Sequence, residues 1–147
     1  MRDELDAIDH KIIAELQADG RMTAQELASR VGLSPSPCAR RVRLLTEAGI
    51  IKGYVAVIDQ TKIGRPVTAF ASIKLSRQHE EDLDQFAHAV SRWPEVVDCH
   101  LMTGQRDYLM RVLVRDLQDY ERFLKEKLTR LECIASIETS FALSRVK

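Results

Sequence analysis

The side chains best placed to do chemistry are Ser36, Arg40 and Arg43. Ser34 and Pro35 open a helix just before them. Serine is a favoured N-cap, and proline at the first helical position gives up an N–H that has no partner there anyway. The spacing predicts a helix to about Ala48, stopped by Gly49. At 3.6 residues per turn, Cys38, Val42 and Leu45 share one face. Ser36, Arg40 and Arg43 point the other way, with Arg41 on the flank. Arginine reads guanine edges bidentately in the major groove, and serine or arginine holds phosphates. Three arginines on a surface helix are, by themselves, an ordinary solvated face. The neighbouring elements must decide.

Other reactive types do not assemble into a site. The four histidines, His10, His79, His88 and His100, are scattered, and none has a His-x-x-x-His partner. Cys99 and His100 are neighbours on an expected strand, so they point to opposite faces and cannot chelate together. Cys38, Cys99 and Cys133 are odd in number and far apart, which fits neither a disulfide framework nor zinc spacing. Asp98 and Asp107 flank a hairpin without a catalytic partner. No metal, cofactor or catalytic group is expected, and the chain does not read as an enzyme. The loop Gly104-Gln105-Arg106-Asp107-Tyr108 is different. Its backbone amides and its charges of both signs suit a zwitterion. On residue chemistry alone, a routine hairpin with glycine at positive φ is the better reading.

The chain has 147 residues, enough for one ordinary domain or two small ones. It is 45% hydrophobic, so a packed core is within reach, and 30% charged, which argues against a membrane protein. No apolar run approaches the ~18 residues of a spanning helix. The acidic start Met1-Arg2-Asp3-Glu4 lacks the apolar core of a signal peptide. A soluble, cytoplasmic protein is expected. The net charge is zero, but it is unevenly spread. Residues 1–19 carry two bases against six acids, whereas residues 30–53 carry five bases against one acid. Such a local basic patch can bind DNA where the average hides it.

Two further helices precede the basic one. Leu5, Ile8, Ile12, Ile13 and Leu16 recur at helical spacing, with Gly20 ending the run. Acids in the first turns suit the helix dipole. Thr23 caps a second helix, and Glu26 three residues on completes a capping box. Leu27, Ala28 and Val31 form its apolar edge, and Gly32 breaks it. Two capped helices joined by a turn of about three residues make a helix-turn-helix, and the first helix supplies the third wall of its core. Thr23, Gln25 and Ser34 would then sit against the DNA backbone. Ile50 to Ile58 favours a strand, on which Lys52 and Tyr54 could act as a modest wing.

The domain boundary is placed at residues 59–66, where Gly64 and Pro66 interrupt all periodicity. Beyond it come a strand (Val67 to Leu75), a helix (Leu83 to Val90, closed by Trp93-Pro94) and a strand (Val96 to Met102). A turn, a strand (Tyr108 to Val114), a helix (Leu117 to Leu128) and a last strand (Ile134 to Leu143) follow. The order is that of the ferredoxin-like βαββαβ pattern. The fold expected is therefore α+β, with a winged helix-turn-helix over residues 1–58 and a ferredoxin-like domain over 67–147. Each helix has one apolar stripe, so both cover the same face of the sheet. The other face is left open, which predicts self-association through it.

The ordered set of motifs resembles the leucine-responsive/asparagine-regulator, or feast/famine, family of transcription factors, over essentially the whole chain. Its marks begin with Leu5-Asp6-x-Ile8-Asp9-x-x-Ile12-Ile13-x-x-Leu16-Gln17, then Asp19-Gly20-Arg21. They continue with Leu27-Ala28-x-x-Val31-Gly32-Leu33-Ser34, Arg41-Val42-x-x-Leu45-x-x-x-Gly49-Ile50-Ile51 and Gly104-x-x-Asp107-Tyr108. The resemblance implies a DNA-binding head joined to a ligand-binding domain, with dimers that assemble further, often into octamers. It also implies a small effector, usually an amino acid, bound between dimers near the hairpin. Carried onto this chain, that loop is Thr103, Gly104, Gln105, Arg106, Asp107 and Tyr108, with backbone groups holding the carboxylate and Asp107 meeting the ammonium group. Thr139 and Ser140 would form the opposing wall. Cys133 stands where the family often has glycine, and Ser140 where some members have an aromatic residue, so the effector's side chain is not carried over.

The expected function is thus a DNA-binding transcriptional regulator whose assembly or affinity responds to an amino acid. The competing readings are an effector-blind architectural DNA-binding protein and, more remotely, an enzyme built on the ferredoxin-like half.

Overall fold

The computed structural model describes residues 5–146. Arg2, Asp3 and Glu4, counted above among the N-terminal charges, lie outside the described residues, as does Lys147. The chain divides into two compact units, one ending at Val57 and the other beginning at Ile58.

The first unit is a trihelical head. α1 spans Ala7–Ala18, α2 Ala24–Val31 and α3 Pro35–Glu47. Ile12, Leu27, Ala28, Val31, Cys38 and Leu45 are buried together as its core, so Cys38 is a small core hydrophobe as its helical position requires. Gly32 takes φ +75° at the end of α2, a conformation glycine adopts without penalty, and lets the chain turn within three residues into α3. Gly49 does the same after α3, at φ +72°. Residues 50–58 correct the sequence reading: they form no strand. Val55 and Val57 are almost fully exposed, and among the described residues no strand pairs with them. Branched residues favour a strand only where they can pack and pair.

The second unit begins with a turn. Asp59 accepts hydrogen bonds from the Thr61 and Lys62 amides, and Arg65 N–H donates to the Gln60 carbonyl at 2.8 Å. The segment expected as a linker therefore has local structure of its own. β1 (Val67–Leu75), α4 (Glu80–Val90), β2 (Val96–Leu101), β3 (Tyr108–Val114), α5 (Leu117–Glu126) and β4 (Ile134–Phe141) follow, with a 3₁₀ turn at Leu128–Arg130. The sheet order is β2-β3-β1-β4, and every neighbouring pair is antiparallel. Ala69, Ala71, Ile73 and Leu75 of β1 join Tyr108, Met110, Val112 and Val114 of β3 beneath Phe86, Val90, Tyr120 and Phe123 of the helices. The alternation expected from the sequence sets this helix-covered face. The opposite face carries Phe70, 38% exposed, with Ser72, Lys74, Leu109 and Arg111. Arg111 grips Asp98 there with two nitrogens at 2.9 and 2.6 Å.

Candidate functional site

The head presents its polar groups on α3 and the turn before it. Thr23 heads α2 through a closed capping box: its hydroxyl accepts the Glu26 amide at 3.2 Å, and Glu26 Oε2 accepts the Thr23 amide at 2.8 Å. Gln25 beside it is exposed. Ser34 occupies the N-cap position of α3, but its side chain makes no capping bond. The hydroxyl is therefore spare for a phosphate. Ser36 and Arg40 are exposed and bound to no other described side chain. Arg43 is exposed too, with Glu47 one turn on at 3.6 Å. An exposed pair of this kind gains little from its contact, so Arg43 remains available. Lys52 lies exposed on the unpaired segment after α3, so no wing strand positions it.

Arg41 departs from the sequence reading. The fold engages it within the head rather than leaving it spare on the flank. Its side chain is 19% exposed and turns inward, where Nη1 donates to Asp6 Oδ2 at 2.7 Å and Asp9 Oδ1 at 2.8 Å. The physical reason is Asp9. Its side chain is nearly fully buried, and a buried carboxylate is costly unless paired and hydrogen-bonded. Asp6 and Asp9 also close a capping box at the start of α1. The Arg41 hydrogen bond holds the Asp6 carboxyl down at about 2. Two aspartates three residues apart, Asp6 at the N-cap of α1 and Asp9 among its core-facing apolar residues, were the signal for this arrangement. Reading them only as dipole partners missed it.

The second site candidate is the hairpin between β2 and β3. Met102 N–H donates to the Asp107 carbonyl at 2.8 Å and closes the turn. Within it, Thr103, Gly104 and Gln105 are exposed, and Gly104 takes φ +108°. The backbone amides of Thr103, Gly104, Gln105 and Arg106 have no acceptor among the described residues. Four successive free N–H groups in one tight turn suit an anion.

The side chains around this turn are already committed. Asp107 is 7% exposed. It accepts the Leu75 amide at 2.7 Å and Gln78 Nε2 at 3.2 Å, with Lys74 Nζ at 3.6 Å. Burial pushes its carboxyl up, but the Leu75 amide, Gln78 and Lys74 together reverse this and hold it below the ordinary value. Asp107 thus ties the turn to the end of β1 and to the approach to α4, and both its oxygens are engaged within the protomer. Tyr108 points into the core, stacked on Phe86 with ring centroids 4.4 Å apart. Arg106 reaches across to β4, where it donates to Ser136 Oγ and pairs with Glu138. Thr139 and Ser140 do not face the same way. Thr139 turns to the helices and bonds the Tyr120 hydroxyl, whereas Ser140 is exposed on the open face. Gln78 was missed in the sequence because its role depends on a residue 29 positions away.

Among the described residues, no group of three or more His, Cys, Asp or Glu is placed to hold a metal ion. No described helix is long and apolar enough to cross a membrane.

A helix-turn-helix with a free polar front, followed by a four-stranded α+β unit with an anion-suited turn, defines a DNA-binding regulator with a ligand domain. Comparison with known proteins gives the family. The Lrp/AsnC ligand binding domain profile matches residues 68–147, and a winged helix-turn-helix DNA-binding profile matches residues 5–52. The chain belongs to the Lrp/AsnC family of transcriptional regulators. It is 41% identical over 147 residues to the leucine-responsive regulatory protein of Rhizobium meliloti, covering 100% of this chain and 94% of that one. It is 41% identical to the Bkd operon transcriptional regulator of Pseudomonas aeruginosa, covering 97% and 94%. Among solved structures, a transcriptional regulator from Neisseria meningitidis in complex with L-Met superposes with a TM-score of 0.93 at 35% identity, covering 98% and 93%. These relatives are named as regulators of transcription.

Proposed function

We propose that this regulator responds to an amino acid bound at the Thr103–Arg106 turn, and that binding changes self-association or DNA affinity. The observation that supports this most is the run of four free amides beside a fully committed Asp107. The amides take the effector carboxylate. Asp107 supports the turn from behind, its own oxygens being spent on Leu75, Gln78 and Lys74. The turn therefore offers only the carboxylate half of a site. The ammonium group and side chain find their partners on a second copy, with Ser140 a candidate for the opposing wall. That division makes ligand binding and assembly one linked equilibrium, because an effector shifts assembly only by its differential affinity for the assembly states. The L-Met complex of the Neisseria meningitidis relative supports an amino acid as the class.

Copies associate through the open sheet face that carries Phe70 and Leu109, and the dimers assemble further, up to octamers. Several heads then engage double-stranded DNA together and gain avidity. Ser36, Arg40 and Arg43 face bases and near phosphates, while Thr23, Gln25, Ser34 and Lys52 meet the backbone. The place of action is the cytoplasm, with the DNA. Thermal-shift measurements against the twenty amino acids, followed by sedimentation with each hit, test the reading. A ligand that favours the native state raises its apparent stability. A monomeric mass at micromolar concentration, or no amino acid that alters stability, assembly or DNA affinity, would leave the architectural reading as the better one.

A further inference from the structure

Arg40 and Arg41 are neighbours on α3 with opposite fates. Arg40 is exposed and has no hydrogen-bond or ion-pair partner for its side chain among the described residues, whereas Arg41 is held by α1. α3 packs chiefly on α2 and meets α1 less extensively. Its apolar contacts there, through residues such as Cys38 and Leu45, are non-directional and permit a small roll or slide. Charge-assisted hydrogen bonds are directional. A single guanidinium nitrogen, Nη1 of Arg41, is fixed from two sides at 2.7 and 2.8 Å. Both acceptors are themselves fixed. Asp6 Oδ1 accepts the Ile8 and Asp9 amides at 2.9 and 2.8 Å, and Asp9 Oδ2 accepts the Asp6 amide at 3.2 Å. The capping box of α1 is thereby also the anchor of α3.

We propose that Arg41 is a positioning residue for DNA reading, which sets the rotation of α3 through Asp6 and Asp9 so that Arg40 and Arg43 reach base edges in register. The lever is long. A helix with its side chains has a radius of about 5–6 Å, so a roll of about 20° moves an outer group by about 2 Å. Hydrogen-bond distances tolerate only about half an ångström. Loss of the anchor therefore blurs base reading while leaving phosphate attraction intact. The inference rests on the DNA-binding head alone and is independent of any effector.

The test compares two DNAs: a duplex that the full-length protein itself selects from a random library, and mixed-sequence duplex of the same length. Arg41→Met should weaken binding to the selected duplex about tenfold, the scale of one lost bidentate base contact. Binding to mixed-sequence DNA, and the dependence of both affinities on salt, should not change. Arg41→Lys, which can still reach a carboxylate, should recover most of the selectivity. The double variant Asp9→Leu/Arg41→Met leaves no stranded buried charge and keeps the test open if Arg41→Met fails to fold. It too should lose selectivity with an unchanged salt slope. A salt slope reduced by about one on both DNAs would make Arg41 a direct phosphate contact and overturn the proposal. Full selectivity in the double variant would overturn it as well.

Discussion

The front of α3 and the turn between β2 and β3 both expose polar groups, but they are built in opposite ways. On α3 the fold leaves side chains over: Ser36 and Arg40 have no partner within the described residues, and Arg43 has only an exposed one. At the turn the fold leaves backbone over: four amides are free while Asp107, Tyr108 and Arg106 are all spent. The difference teaches that residue type marks a reading surface only where the fold does not use the residue itself. Arg41 and Asp107 have the chemistry of their expected roles, and both spend it on hydrogen bonds within the fold.

The largest expected effect on this comparison comes from Asp107. Asp107→Ala leaves the buried Leu75 amide without its acceptor and frees Gln78 and Lys74. A stranded buried donor costs ~1–3 kcal/mol, and the lost charge-assisted contacts add to it. Urea unfolding should show that loss, and effector binding should fall with it because the turn loses its support. The same residue gives a pH signature. Its folded-state carboxyl lies below the ordinary value near 3.9, so its contribution is complete above about pH 4 and disappears as the pH falls through the folded value. Asp107→Ala should flatten that part of the acid limb.

Arg40→Ala should behave in the opposite manner. Losing one bidentate base contact costs ~1–3 kcal/mol of specific binding. Stability should stay within ~0.5 kcal/mol of the parent, since Arg40 is exposed and makes no hydrogen bond or ion pair with its side chain among the described residues. Filter binding on a selected duplex and thermal unfolding of the same sample separate the two effects. A variant that loses stability along with binding would show that Arg40 has a structural partner after all.

This contrast also explains which features were legible in the sequence. Helices and strands were, because Ile12, Leu27 and Cys38, or Ala69, Ala71 and Ile73, repeat with the period of the element that buries them. The front of α3 was legible for the same reason: knowing which side is core assigns Ser36, Arg40 and Arg43 to the other. Pairings between distant residues were not. Arg41 and Asp9 are 32 positions apart, and Asp107 and Leu75 are also 32 apart, so no local pattern connects them. The strand expected at residues 50–58 fails on a related point, since propensity describes a residue's fit to a sheet and says nothing of whether a neighbour is present.

Gly104 is a direct probe of the free-backbone site. At φ +108° an added side chain is strained, although nothing in the fold crowds the position. Gly104→Val should cost ~1–3 kcal/mol, the scale for a residue held in a sparsely populated backbone region. Part of that is expected to be relieved by reshaping the turn itself. Amino-acid affinity should then fall by more than overall stability does. A parallel loss of both, read by calorimetry and thermal unfolding, would mean that the turn is a hinge of the fold with no ligand function.

The smallest effect separates two caps that look alike in sequence. Thr23 heads α2 with a closed capping box, and Ser34 heads α3 with no side-chain bond. Thr23→Ala should therefore cost ~1 kcal/mol, and Ser34→Ala only a few tenths, although serine and threonine rank as similar N-caps. Pro35 at the start of α3 accounts for the difference, because its pre-set φ begins the helix without a capping hydroxyl. On DNA the order should reverse. The uncommitted Ser34 hydroxyl is available to a phosphate, so Ser34→Ala should weaken selected and mixed-sequence duplexes alike. Thr23 shares its hydroxyl with the box it closes with Glu26, so its loss should cost stability as well as its backbone contact, and the drop in DNA binding should be smaller than for Ser34. If Ser34→Ala proves the more destabilising in thermal unfolding, its hydroxyl caps α3 in solution and is not spare for DNA.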